Sequence, residues 1–200
     1  MNTLLSRLSP SITDMIRMDH SHVLTTFHQY DPGSSPRTRK GLVDQACVAI
    51  EIHAQLEEEI FYPALRAVSD TDVVRKSVPE HDEMRRLINQ LRKLQPTDAG
   101  YDESFQQLMN NVLHHVADEE TLLLPAAERV LADQLGELGA RMTKRRLQLA
   151  GPRAAEIAGS MARSVGASTI IAGAGALLAC SYLLARPRAL RAATRNPLRH

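Results

Sequence analysis

A repeat constrains this chain more than any other feature. His53-Ala54-Gln55-Leu56-Glu57-Glu58, followed by Pro63-Ala64, reads H-x3-E-E-x4-P-A. His115-Val116-Ala117-Asp118-Glu119-Glu120, followed by Pro125-Ala126, repeats that pattern in the second half. Upstream, Asp19-His20 is echoed at almost the same offset by Glu80-His81. Each half thus brings one helix with an acidic-His pair and one with an H-x3-E motif. Two such hairpins packed about an approximate two-fold axis could set all four motifs at one level of a bundle.

Helical periodicity recurs along the chain, with no convincing strict alternation. It predicts helices near 11–30, 38–67, 72–95 and 101–131, separated by breakers at Asp31-Pro32-Gly33, Ser69-Asp70 and Pro96-Thr97-Asp98-Ala99-Gly100. Short connections between long helices make antiparallel neighbours. The expected fold is therefore all-α, an up-down antiparallel four-helix bundle followed by a basic helix and a C-terminal apolar helix. The absence of Trp and the scarcity of aromatics argue against a β-sandwich.

On helices, positions i, i+4 and i+7 share one sector. His20 falls on the stripe of Ile16, Val23, Leu24 and Phe27, and His53 and Glu57 on that of Leu56 and Ile60. His81 falls with Val74, Val78, Met84 and Ile88, and His115 and Glu119 with Leu108, Val112 and Leu122. Four imidazoles and two carboxylates are thus aimed at a core. An unpaired buried carboxylate costs several kcal/mol or more. Cations between these groups would remove that cost, and imidazole with carboxylate suits iron, manganese or zinc. Any one motif alone is ordinary, a core histidine or a solvated H-x3-E face; duplication at matched offsets is what the ordinary reading leaves unexplained. His22 and His114 point away from these stripes, and Glu58, Glu59 and Glu120 are expected in solvent. Pro63 and Pro125 are expected to end or bend their helices.

Together the four motifs, with Glu59-Ile60-Phe61-Tyr62-Pro63-Ala64-Leu65 and Leu122-Leu123-Leu124-Pro125, resemble the hemerythrin-like, or hemerythrin HHE cation-binding, domain family over about residues 10–140. The resemblance implies two non-haem irons bridged by two carboxylates. Its terminal ligands would be His20, His53, His81 and His115, and its bridges Glu57 and Glu119. Oxygen-carrying members have a fifth histidine one turn away on the third helix; here that turn offers Ser77 and Arg85. The coordination would be more open, leaving room for sensing or redox turnover.

Charge is split along the chain. Residues 1–133 carry 21 acidic and 13 basic side chains, and residues 134–200 carry 2 and 11. The acidic part has no basic stripe for a nucleic-acid backbone. Cys47 and Cys180 imply no disulfide framework. Residues 165–185 form an uncharged run of roughly 31 Å if helical, long enough for a bilayer, with an Ala-rich helix packed on a partner as the alternative. The expected layout is a di-iron bundle (1–135), a basic helical linker (136–163), a candidate transmembrane helix (164–186) and a basic tail (187–200). That places the protein at a membrane, bundle on the cytoplasmic side, with a soluble cytoplasmic protein as the alternative; the apolar helix could also carry a homo-oligomer. The expected function is binding or sensing of O2 or a related diatomic such as NO. A di-iron enzyme acting on O2 or peroxide, and an iron-storage or metal-stabilised interaction module, are the alternatives.

Overall fold

The computed structural model describes residues 10–69 and 72–164, and every regular element among them is a helix. α1 is Ile12–His28, opened by the Ser11 hydroxyl, which accepts from the Asp14 N–H. α2 begins at Pro36, where a missing N–H is harmless, and Ser35 accepts from the Thr38 N–H. α2 runs through Pro36–Leu56, a widened turn at Glu57–Phe61, and Tyr62–Arg66. α3 is Asp72–Leu91. α4 follows Gly100, whose φ of 88° suits glycine, and comprises Tyr101–Asp118, a second widened turn at Glu119–Leu123, and Leu124–Val130. α5 is Leu135–Ala150, and after one tight turn α6 is Ala154–Ser164.

The two widened turns explain the two prolines. The Tyr62 N–H bonds the Glu57 carbonyl, and the Leu124 N–H that of Glu119, each five positions back rather than four. The extra residue lets the chain pass Pro63 and Pro125 while remaining helical. Helix continuity is kept, and the side chains beyond each turn are rotated relative to a regular helix.

Apolar side chains form two buried clusters. One gathers Ile12, Ile16, Leu56, Phe61, Leu65, Leu123, Leu138 and Met142. The other gathers Val23, Phe27, Val43, Cys47, Met84, Ile88, Phe105 and Leu108. Each such side chain contributes about 1.5–3 kcal/mol on burial. Along every site-bearing helix the His and Glu side chains fall between residues of the two clusters. Cys47 belongs to the second, where burial pushes its thiol up to about 12.

Residues 136–163 fold as α5 and α6, which pack on the helices before them within one compact unit ending at Ser164. α5 lies against α1, α2 and the turn at Glu57–Phe61, and α6 against α2. Both approaches are close. A Cβ on Gly139 would collide with the Pro10 carbonyl oxygen, and one on Gly41 with the Ser164 backbone nitrogen. The split in charge has its physical outlet here: Arg145 pairs with Glu59, Arg146 with Asp19, Arg153 with Glu51 and Arg163 with Asp44.

The expectation of a membrane-spanning helix is corrected. No helix among the described residues is long and apolar enough to cross a membrane, and α6, which leads toward the apolar run, packs a face on α2. The run at 165–185 and the tail lie outside the described residues.

Candidate metal centre

Four helices deliver the six side chains singled out above, and the structure brings all six together. His20 comes from α1, His53 and Glu57 from α2, His81 from α3, His115 and Glu119 from α4. Glu57 and Glu119 are fully buried and none of the four imidazoles is more than 8 % exposed. Each ring turns Nε2 inward. His53 Nε2 lies 3.2 Å from a Glu57 oxygen and His81 Nε2 3.4 Å from the same oxygen. His20 Nε2 lies 3.3 Å from Glu119, and His115 Nε2 3.6 Å from it. His81 and His115 bring their Nε2 atoms within 3.2 Å of each other.

The donor atoms sort into two groups with Glu57 in both. One is His20, His53, Glu57 and Glu119; the other is Glu57, His81 and His115. The Nε2 atoms of His20 and His53, Oε1 of Glu57 and Oε2 of Glu119 are buried without a hydrogen-bond partner. Four orphaned polar atoms at one point would be a heavy cost in a protein interior. Imidazole nitrogens and carboxylate oxygens converging on one space are the donor set for a transition-metal ion, so these residues fit the group that their pattern implies.

Outside this cluster stands a ring of carboxylates that the sequence reading missed. His20 Nδ1 donates to Glu120 at 2.8 Å, His81 Nδ1 to Glu58 at 2.8 Å, and His115 Nδ1 to Glu80 at 2.8 Å. His53 Nδ1 faces Asp19 at 3.4 Å. Glu58 and Glu120, expected in solvent, instead hold imidazoles. Such bonds fix the ring orientation and leave Nε2 free to bind a cation. Three of the four acids are clamped in turn: Asp19 by Arg146 at 2.6 Å, Glu58 by Arg85 at 2.7 Å, and Glu120 by Arg17 at 3.2 Å. Glu59, the third acid of its run, pairs with Arg145 at the surface.

The electrostatics follow. Burial works against charge on Glu57, but the surrounding imidazoles outweigh it and hold its carboxyl well below the ordinary range. Burial would lower the His115 value; Glu57, Glu80 and Glu119 overcome it and raise the ring to about 10. His20 and His81 are raised by the same balance.

One further side chain reaches the centre. The Tyr62 hydroxyl lies 2.8 Å from Glu119 Oε1 and 3.1 Å from Glu57 Oε2, fully buried and stacked on His81. Burial, then the charge of both carboxylates, pushes its phenol well above the usual value. Ser77, at the turn where a fifth histidine would stand, is buried, and it opposes the upward push on the Tyr62 phenol. Arg85 instead points outward to Glu58 and Asp82. His22 and His114 are exposed, as their angles required. Leu122, expected to line the core, is 54 % exposed, because the widened turn carries Leu123 and Leu124 inward in its place.

The family described as hemerythrin HHE cation binding domain matches residues 11–157. A Nostoc protein named DNA nickase is 29 % identical over 127 residues, which cover 64 % of this chain but 36 % of that relative. An uncharacterised Mycobacterium tuberculosis protein is 31 % identical over 118 residues, covering 56 % of this chain and 70 % of that one. A crystal structure of a hemerythrin HHE cation-binding domain-containing protein from Mycobacterium kansasii superposes with a TM-score of 0.63 at 21 % identity. It covers 78 % of this chain and 99 % of that one, and it shows likeness of fold.

Proposed function

This chain belongs to the hemerythrin HHE cation-binding domain family, and from that premise we propose that it is a non-haem di-iron protein that binds or senses O2 or a related diatomic such as NO. In this reading α1 to α4 run up and down in antiparallel order. His20 and His53 would hold one iron and His81 and His115 the other, with Glu57 and Glu119 as the carboxylates that the family pattern would share between them. The observation that carries it is the convergence of two donor groups on a shared Glu57, with four inward-facing polar atoms that make no hydrogen bond.

Iron bound there supplies the electrons for reversible binding of a diatomic. The chain's own residues do the rest. Buried Phe27, Leu56, Ile60, Met84 and Ile88 keep water from the centre. Asp19, Glu58, Glu80 and Glu120 hold the four imidazoles in register. The Tyr62 phenol keeps a proton within reach of Glu119 Oε1. The nicking activity in the name of the Nostoc relative stays with that protein: the acidic part of this chain, up to Asp133, offers no basic stripe for a phosphate backbone.

Tyr62 also favours a second reading, an enzyme acting on O2 or peroxide. A buried phenol 2.8 Å from a bridging carboxylate can donate a proton at the centre, and no fifth histidine fills the adjacent position. Anaerobic ferrous loading of the full chain tests both readings, with iron per chain and absorption followed with and without O2. About two irons and a reversible visible band are expected for the first reading. Peroxide turnover proportional to iron supports the second, and one iron or none overturns the di-iron assignment.

A further inference from the structure

Of the four acids that hold the imidazoles, Glu80 is set apart. Among the described residues no arginine or lysine pairs with it; its partner is His115. Beside it instead are His114 and Asp118, one turn apart on α4 and so on one face of that helix. One ligand atom from each of Glu80, His114 and Asp118 lies within 4.8 Å of the others. His114 is exposed, and Glu80 and Asp118 are half-buried, so the cluster opens to solvent. In the other half of the repeat the matching positions are Asp19, Ile52 and Leu56. There the acid is neutralised by Arg146 of α5, and the two flanking positions are apolar. Among the described residues Glu80 has no such cation, and an imidazole and a second carboxylate stand in its place.

We infer that Glu80, His114 and Asp118 form a second, exchangeable divalent-cation site at the surface, from which ferrous ion passes to the buried centre. Two carboxylates stand together there without an arginine or lysine among the described residues to neutralise them, and one imidazole adds a nitrogen donor. That set suits Fe2+ or Mn2+, with water completing the coordination. Glu80 joins the two sites, because the carboxylate at the surface cluster is the one that accepts from His115 Nδ1. The cation site stands by its own residues; its role in delivery rests on the di-iron reading above.

The test uses Mn2+ and the full iron-loaded chain, counting bound Mn2+ from the loss of the free-ion paramagnetic resonance signal. One equivalent is expected to bind. His114→Ala and Asp118→Asn should each weaken it by about tenfold or more while iron per chain stays unchanged. Unaltered Mn2+ binding in both variants overturns the site. A second arm follows ferrous uptake by the iron-free full chain at limiting Fe2+. Uptake several-fold slower in His114→Ala, with the same final iron, supports delivery; an unchanged rate overturns it. A chain that takes up no iron refutes the di-iron reading, and the difference in Mn2+ binding between that metal-free chain and its His114→Ala and Asp118→Asn variants still decides the surface site.

Discussion

In the first half of the repeat His53 faces Asp19, Arg146 grips Asp19, and α5 lies across the turn at Glu57–Phe61. In the second half His115 donates to Glu80, whose other neighbours are His114 and Asp118, and the turn at Glu119–Leu123 leaves Leu122 in solvent. The same duplicated motif thus has one covered flank and one open flank. Tyr62 adds to the contrast, since its counterpart in the second half is Leu124, and the pair of carboxylates shares a single phenol. Near-identical donors in unlike surroundings are what a centre needs if one side is to be held rigid and the other is to meet solvent.

The largest expected effect tests whether the two carboxylates are equivalent. Glu57 belongs to both donor groups and Glu119 to one. Glu57→Ala should therefore abolish iron binding at both positions, whereas Glu119→Ala should retain iron at the His81–His115 position, with about one iron left per chain. Iron per chain after anaerobic loading reads the difference directly. Equal loss in the two variants would restore the symmetry that the repeat implies.

Next comes the cover itself. Ile60 and Leu122 are counterparts in the repeat, yet Ile60 is 7 % exposed, in one cluster with Leu138 and Met142 of α5, and Leu122 is 54 % exposed. Ile60→Ala should cost about 2–4 kcal/mol through lost contacts and a cavity. Leu122→Ala should fall within about 0.5 kcal/mol of the parent. Urea titration of the iron-free chains compares them, and similar midpoints would show that α5 does not protect the first half.

How much of this was legible depends on what the side chains touch. The six inward groups were readable because i, i+4 spacing alone places His53 with Glu57 and His115 with Glu119 on one face. Duplication then said that the faces meet. The outer carboxylates were not readable in the same way. Glu120 holds His20 across 100 positions and Glu58 holds His81 across 23, and nothing in helical periodicity links such pairs. A signal was present in the doubled acid of H-x3-E-E and in the acid before each lone histidine, but on an isolated helix these look solvated. Leu122 was misplaced for a different reason. A 3.6-residue period cannot foresee a turn that takes one extra residue, although Pro125 in the next turn marked where the regular ladder would fail. The cover by α5 was missed because its seal on α1 depends on a contact that only Gly139 permits.

A smaller effect separates the clamped acids from the open one. Asp19 is held by Arg146, so Asp19→Asn both loosens His53 and strands a guanidinium against α1. Glu80→Gln loosens His115 and removes a carboxylate from the surface cluster, but leaves no guanidinium stranded against α1. Iron affinity should fall by about 10- to 100-fold in each, the usual cost of losing an acid behind a histidine ligand. Only Asp19→Asn should also weaken the docking of α5, visible as faster amide exchange over Leu135–Ala150. Matching exchange in the two variants would mean that Arg146 contributes nothing to the rigidity of the first half.

The smallest effect concerns Tyr62. Its hydroxyl satisfies Glu119 in the iron-free chain, so Tyr62→Phe should cost about 1 kcal/mol of stability there, the ordinary worth of one buried hydrogen bond. The ring stacked on His81 is retained, so iron per chain should not change. Stability and turnover then part company. If the phenol supplies a proton at the centre, peroxide consumption per iron should fall in Tyr62→Phe while reversible O2 binding persists. If the centre is solely a binding site, both should survive the change, and the lone phenol is a packing device that fills the position beside Ser77.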